Sequence, residues 1–302
     1  MVQVYSKKRN LQLFLFGVML LLASGYQAAA DIPTDSGLPP IETPSFIIAP
    51  APVGYPSFTS GSDAALDGRF VYTTGAAAGF MDEDMAKEMD NEFNTMGGVV
   101  FFNYRITFSR GFLFNAAAGG GMLRGNEYDF RSFLLPIQAN AAAAVINTPA
   151  LQLFVFAGAG GNAAFSRMEL KYPDDFDDPG NGGFNGLNGG LETSDTLTAE
   201  TTTMNWTYNG GVQLNYTFGS FVISTYYTYT GVGGRFETEI SSGNNFSYEN
   251  AAQSGDMPDY SSSIFGLDVL YKPLNVSLSS SAQLNEYYKL FTLALRKQLW
   301  SR

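Results

Sequence analysis

The chain has 302 residues, of which 15% are charged and 15% aromatic, and its formal net charge at pH 7 is −11. Soluble domains typically carry about 25% charged residues, so this composition favours a protein that does not bury its apolar surface in an aqueous globule. The acidic balance argues against nucleic acid as a partner, because that binding depends on neutralising phosphates with Lys and Arg. The absence of cysteine excludes disulfide bonds and a lipoprotein anchor.

Residues 1–30 have the three parts of a secretory signal peptide. Basic residues at 7–9 precede an apolar run over 11–23, and small residues at 28–30 follow. The apolar run is shorter than the roughly 20 residues that a membrane-spanning helix needs, so we expect cleavage after Ala30. Because the three cations are then lost, the mature chain carries a net charge of −14.

Residues 31–67 form a proline-rich segment that contains seven of the thirteen prolines. Proline fixes φ and has no backbone N–H to donate, so we predict an extended or disordered periplasmic leader. A short plug threaded into a barrel is the alternative interpretation of this segment.

From Gly68 onward, apolar and polar residues alternate with a period of two, which is typical of strands with two different faces. The clearest segment is 206–218, whose apolar face contains Trp206, Tyr208, Val212, Leu214, Tyr216 and Phe218. Strands of soluble proteins average about five or six residues, whereas membrane-spanning strands need about 9–11. Several alternating segments here reach that greater length, so the pattern predicts strands that cross a membrane.

Across 68–302 this pattern predicts an all-β fold, a closed antiparallel transmembrane β-barrel of about ten strands, with eight or twelve as alternatives. The predicted strands are 69–80, 97–108, 111–122, 133–146, 151–163, 204–218, 220–232, 262–272, 274–282 and 287–299. Short turns alternate with long segments at 81–96, 123–132, 164–203 and 233–261. Short periplasmic turns and long surface loops are typical of outer-membrane barrels, and an even strand number leaves both termini in the periplasm.

The signal peptide, the alternating strands and the aromatic final strand make the chain resemble the small bacterial outer-membrane β-barrel proteins, a porin-like class. The resemblance covers about 68–300 and rests on pattern. It implies that the protein lies in the outer membrane of a double-membrane bacterium, in contact with outer-membrane lipid. It also implies the barrel-assembly machinery as a partner, since members of this class usually close on a terminal aromatic residue that assembly factors recognise. Here Trp300 is followed by Ser301 and Arg302, which departs from that pattern.

The four long segments together carry a charge of −15, against −14 for the whole mature chain. The simplest interpretation is that acidic loops keep the surface solvated. A functional alternative is a rim that concentrates cations or binds divalent ions. A weak candidate Ca²⁺ loop offers hard oxygen ligands without the EF-hand spacing. Its residues are Asp174, Asp175, Asp177, Asp178 and Asn181.

The chain has no histidine. Histidine is the ordinary general base at neutral pH and activates serine nucleophiles, so we expect no enzymatic activity and no cofactor. The alternation places four ionisable residues in the lumen, namely Arg69, Arg105, Asp268 and Arg296. They form either a paired network that fills a narrow barrel or a charged constriction that selects solutes.

These observations favour an integral outer-membrane barrel with a structural or surface-interaction role. The loops 81–96, 164–203 and 233–261 are the expected contact elements for a partner. The alternative is a narrow, cation-preferring, porin-like channel.

Overall fold

A computed structural model describes residues 61–74, 94–109, 111–126, 129–171, 196–242, 251–285 and 288–301. These residues form ten antiparallel strands, and pairing between the first and the last strand closes them into a barrel. The predicted fold class is therefore confirmed. The chain divides into two compact units, Met1–Asp35 and Ser36–Arg302, and every described residue belongs to the second. No helix in the described ranges is long and apolar enough to span a membrane.

Each strand pairs with its neighbours in sequence, and a single turn of 3-10 helix, Lys272–Leu274, connects the eighth strand to the ninth. The strands are β1 (Gly61–Thr74), β2 (Asn94–Ser109), β3 (Phe112–Gly125), β4 (Arg131–Asn147), β5 (Leu151–Lys171), β6 (Thr196–Phe218), β7 (Phe221–Ser242), β8 (Ala251–Tyr271), β9 (Val276–Leu284) and β10 (Lys289–Ser301). The short connections and both ends of the barrel segment lie at one rim, which we call the turn end. The opposite rim is the loop end.

The pairing register sets the width of the barrel. A path through paired residues that starts at Gly61 passes once around the barrel and returns to β1 at Thr73, twelve residues along the strand. This offset of twelve residues is the shear of the barrel. With ten strands at the usual distance between strands and the usual rise per residue, it corresponds to a strand tilt of about 40° and a backbone diameter of about 20 Å. Both values are normal for a closed membrane barrel.

The two faces of each strand differ in chemistry as the alternation predicts. On β6 the predicted apolar face points outward, and its side chains are 40–68% exposed. The intervening Thr207, Asn209, Gln213 and Asn215 are buried in the interior. The predicted assignment of faces on this strand is confirmed.

Aromatic residues border the outward apolar band at the turn end. The ring centroids of Tyr104 and Trp300 are 5.9 Å apart, and those of Phe221 and Tyr271 are 5.1 Å apart. Such aromatic borders are typical of the two interfaces between lipid and water. The outward band therefore has the composition and the borders of a lipid-facing surface.

The predicted bounds of the leader, of the first strand and of two loops are wrong. The leader does not extend to residue 67, because β1 begins at Gly61, and β1 ends at Thr74. The segments 164–203 and 233–261 are not loops throughout, because β5 continues to Lys171, β6 begins at Thr196, β7 continues to Ser242 and β8 begins at Ala251. These extensions were missed because most of their outward residues are charged or polar, whereas inward residues such as Met168 and Phe236 are apolar. This is the reverse of the contrast between the two faces in the lipid-facing band.

The extensions make the barrel asymmetric. Strands β5–β8 contain 21, 23, 22 and 21 residues, whereas the other six contain 9–17. On β6 the outward apolar residues end at Met204, and the next outward positions are Thr202 and Glu200. We call the part of β5–β8 beyond this level, residues 167–171, 196–202, 235–242 and 251–259, the raised wall.

A leucine pair on β10 tests the lipid-facing band. Leu293 pairs with Ser280 at the centre of β9, whereas Leu299 lies near the turn end, and both point outward. We expect Leu293→Arg to lower the free energy of unfolding in lipid vesicles by ~2–4 kcal/mol, and Leu299→Arg by only ~0–1 kcal/mol. Equal losses measured by denaturant titration would contradict the proposed membrane level.

A glycine pair tests the packing of the interior. The ring of Tyr226 lies against Gly266 so closely that an added Cβ would overlap it, whereas a Cβ at Gly68 would meet only the Leu295 carbonyl oxygen at 3.9 Å. We expect Gly266→Ala to destabilise the barrel by about 1–3 kcal/mol and Gly68→Ala to have little effect. The measurement is the unfolding midpoint of the refolded proteins. A neutral Gly266→Ala would show that Tyr226 is free to move away.

Candidate functional site: the charged interior

The four lumen residues predicted from the sequence are all buried. Arg69 and Arg105 are 4% exposed, Asp268 is 2% exposed and Arg296 is 9% exposed. They lie on β1, β2, β8 and β10, which the closing pair β1–β10 brings to one side of the barrel. Burial of so many charges requires partners, since an unpaired ion in this environment would be costly.

Two aspartates that the sequence analysis assigned to the leader supply those partners. Asp63 accepts hydrogen bonds from Nε and Nη2 of Arg105 at 2.8 and 2.6 Å. Asp67 accepts from Nε and Nη2 of Arg69 at 3.1 and 2.8 Å. Both carboxylates face the interior on β1. The signal that could have found them is the spacing of Asp63, Asp67 and Arg69, which continues the period of two upstream of Gly68.

The charges interact beyond these two pairs. The guanidinium of Arg69 lies 5.6 Å from the ring centroid of Phe101, in a cation–π arrangement. Arg69 is attracted electrostatically to Asp268, whereas Arg105 and Arg296 repel each other. Because three arginines are matched by three aspartates, these interior charges balance. The arrangement contains two direct ion pairs and charges of both signs.

Polar and apolar side chains share the interior. Gln213 donates to Asn215 at 2.7 Å, and both side chains are buried. Phe154, the register partner of Gln213, belongs to a buried hydrophobic group with Leu113. Nearer the loop end, a connected group of buried hydrophobic residues includes Val71, Val99 and Leu290. Several buried polar atoms have no hydrogen-bond partner among the described residues, including Asp67 Oδ1, Asn103 Nδ2, Gln138 Oε1 and Asn209 Oδ1.

Metal binding has no support in the described residues, where no group of three or more Asp or Glu side chains is placed to hold an ion. The candidate Ca²⁺ residues Asp174, Asp175, Asp177, Asp178 and Asn181 lie outside the described residues. So do the signal peptide, most of the leader and most of the 81–96 loop. The expectations for these segments, and the expected lack of enzymatic activity, remain predictions.

The buried ion pair Asp63–Arg105 should be far more important for stability than an exposed one. We expect Arg105→Met to cost about 3–5 kcal/mol, because it leaves the Asp63 carboxylate buried without its main partner. The control, Arg131→Met, breaks a pair with Asp129 whose side chains are 55% and 51% exposed and should cost less than about 1 kcal/mol.

A double variant, Asp63→Asn with Arg105→Met, should be less destabilised than Arg105→Met alone, because no charge is left unpaired. Free energies of unfolding of the refolded proteins provide the measurement. If the double variant were the less stable of the two, the role assigned to the ion pair would be wrong.

The comparisons with known proteins concern the fold. No protein-family model matches the sequence, and no curated protein matches it. Among solved structures, the outer-membrane protease OmpT from Escherichia coli has a TM-score of 0.48 at 11% identity, with coverage of 82% of this chain and 99% of that one. The translocator domain of the autotransporter NalP from Neisseria meningitidis has a TM-score of 0.45 at 8% identity, with coverage of 81% and 88%. No activity is transferred from either protein.

The cellular location of the protein follows from the fold and from the outer surface of the barrel. A β-structure can cross lipid only as a closed barrel, because every backbone N–H and C=O must find a partner within the protein. Here the ladder closes across the whole apolar band, and aromatic residues border that band at the turn end. The chain is thus an integral β-barrel protein of the bacterial outer membrane.

Proposed function

We propose that this barrel is a surface-interaction protein that contacts its partner through the raised wall and the acidic loops 81–96, 164–203 and 233–261. The observation that carries the proposal is the wall itself. Four neighbouring strands continue beyond the lipid-facing band, and spanning the membrane alone requires only about 9–11 residues per strand. The additional length presents an ordered surface to water at the loop end.

The charge of the raised wall indicates the chemistry of the partner. Its residues include six acidic and three basic side chains. Ion pairs at 2.9, 3.6 and 3.2 Å join Arg167 to Glu169, Arg167 to Glu200, and Arg235 to Asp256. Glu200 also stands directly opposite Glu239 on the neighbouring strand, an unfavourable pairing of like charges. A cationic partner surface would relieve that repulsion.

The β8 edge of the raised wall supports the proposal that a partner binds the outward face of the wall. Strand β9 pairs with β8 only over Ser263–Tyr271, so the part of β8 before Ser263 has no second strand among the described residues. Asp256, Pro258 and Asp259 lie on that part, and charges and proline are the usual protection of an edge against added strands. The partner is therefore expected on the outward face and not as an additional strand.

The alternative, a narrow cation-preferring channel, has less support. Its selectivity would need excess negative charge in the lumen, whereas the interior charges described above balance. The acidic rim alone would concentrate cations at the mouth without providing a path. In planar bilayers we therefore expect no stable single-channel steps from the refolded mature protein. A stable cation-selective step that shrinks in Asp268→Asn would favour the channel instead.

A charge-reversal variant tests the proposed contact surface. Cells that display the protein should adhere to an amine-coated surface, and adhesion should fall in Glu237→Lys/Glu239→Lys because both positions are exposed on the wall. High salt should weaken adhesion, since exposed charges are screened. The control, Asp129→Lys, changes an exposed charge at the β3–β4 connection and should have a smaller effect. Equal effects of the two variants would contradict a specific role for the wall.

A further inference from the structure

Three arginines stand side by side on the outward surface of β3, β4 and β5. The pairing register places Arg124 opposite Arg131, and Arg131 opposite Arg167. All three side chains are exposed, and we call them the arginine row. Like charges directly opposite each other on neighbouring strands are destabilising, so the row is unfavourable unless negative groups lie beside it.

Carboxylates of the protein neutralise the arginine row only in part. Arg131 pairs with Asp129 through Nε and Nη2, which leaves its Nη1 available for another acceptor. Arg167 pairs with two glutamates, at 2.9 and 3.6 Å. Arg124 forms no ion pair with any residue that the structure describes. The row therefore keeps N–H donors for an anion that is not part of the described chain.

The arginine row lies at the border of the lipid-facing band. One outward position closer to the turn end, Met122, Phe133 and Phe165 form a parallel row, and each is 47% exposed. From that row to the turn end, every outward residue of β3–β5 is apolar or glycine. At a strand tilt of about 40°, neighbouring strands differ in height by about 3 Å, so the three arginines lie within about 6 Å of one level. This is the level of the lipid headgroups in the leaflet at the loop end.

A groove with a volume of about 460 Å³ adjoins the arginine row on β2 and β3. Its lining includes Arg124, Met96, Met122 and Gly98. Gly98 faces outward without a side chain, and a Cβ placed there would meet no atom closer than 3.6 Å. Methionine side chains adapt to irregular apolar partners. The groove is therefore suited to an apolar chain that runs from the headgroup level into the lipid.

We infer that the arginine row and the groove bind an anionic, phosphate-bearing lipid of the leaflet at the loop end. The phosphate contacts the arginines, and one acyl chain lies in the groove. Guanidinium groups bind phosphate through parallel, charge-assisted hydrogen bonds. A neutral lipid would fill the groove equally well but would not relieve the repulsion among the arginines.

The charges on neighbouring strands confine this site to β3–β5. In the register that contains the arginine row, the next two outward residues are Glu200 on β6 and Glu239 on β7. These carboxylates repel an anionic headgroup. The outward surface therefore attracts anionic lipid on one side of the barrel and disfavours it on the side of β6 and β7.

Tryptophan fluorescence tests which lipid occupies this surface. The reporter is Val100→Trp, at the next outward position of β2 after Gly98, with Trp206→Phe and Trp300→Phe removing the two natural tryptophans. The refolded protein is placed in phosphatidylcholine vesicles that contain brominated phosphatidylglycerol or brominated phosphatidylcholine, because bromine quenches an indole that it contacts. Each basic residue at the membrane surface favours anionic lipid by about fivefold. We therefore expect a preference for phosphatidylglycerol of at least about tenfold at position 100.

Substitutions in the arginine row should remove this preference. The triple variant Arg124→Gln/Arg131→Gln/Arg167→Gln should bind the two lipids nearly equally. Arg124→Gln alone breaks no ion pair among the described residues and should lower the preference by about fivefold. The control Arg235→Gln removes an arginine that is 53% exposed on β7 and should change nothing. All variants are compared as barrels that show heat-modifiable migration on a denaturing gel.

A second reporter separates a site from a general attraction to anionic lipid. A protein that keeps Trp206 as its single tryptophan, beside the acidic residues of β6 and β7, should show no preference for phosphatidylglycerol. Sodium phosphate should displace that lipid from position 100 no more than sodium chloride of equal ionic strength does.

Four results would overturn the inference. They are equal quenching by the two lipids at position 100, a preference that survives the triple substitution, the same preference at Trp206, and complete displacement by phosphate alone. The last result would assign the arginine row to free phosphate. The vesicle measurement does not involve a cationic partner surface, so the lipid site and the surface-interaction proposal can fail separately.

Discussion

The hydrogen-bond ladder between β1 and β10 is the interaction on which the rest of the structure depends. It runs from the pair Asp63–Ser301 to the pair Thr74–Lys289 and turns an open sheet into a closed surface. Lipid offers no water to satisfy an unpaired backbone edge, so the outer band is stable only when this ladder is complete. The register of the same closure sets the shear, and through it the tilt of every strand and the width of the lumen.

Closure of the barrel also separates the side chains of every strand into a lipid-facing set and an interior set. Because successive side chains point to opposite faces, one set meets lipid and the other meets the interior. The outward set can be almost uniformly apolar, while arginines and aspartates collect inside. The closing strand pair brings Arg69, Asp67, Asp63 and Arg296 together from opposite ends of the chain. Interior charge and fold closure are therefore linked.

The features that could be predicted from the sequence are those that depend on a contrast between an apolar and a polar face of the same strand. The outward aromatics of β6 and the inward Arg69 and Arg105 stand in clear alternation, and the strand number followed from segments of membrane-spanning length. Asp63 and Asp67 were not recognised as strand residues, because charged positions directly after a proline-rich stretch look like leader. The raised wall was also missed, because above the lipid its outward face is charged and its inward face includes apolar residues such as Met168 and Phe236, the reverse of the pattern in the membrane. Pairing partners and register depend on contacts between distant residues and cannot be read from local pattern.

Closure by the first and last strands has a consequence for the order of folding. β1 (residues 61–74) can complete its pairing only with β10 (residues 289–301), which lies at the other end of the barrel segment. The native topology therefore has a high contact order, and we expect it to form slowly. Until the final strand arrives, β1 exposes an unpaired edge and the outward apolar band has no lipid to face. Such intermediates aggregate readily, and without cysteine no covalent bond can hold the ends together. The barrel is therefore complete only when the final strand is present, because loss of β10 leaves β1 without a pairing partner on one side.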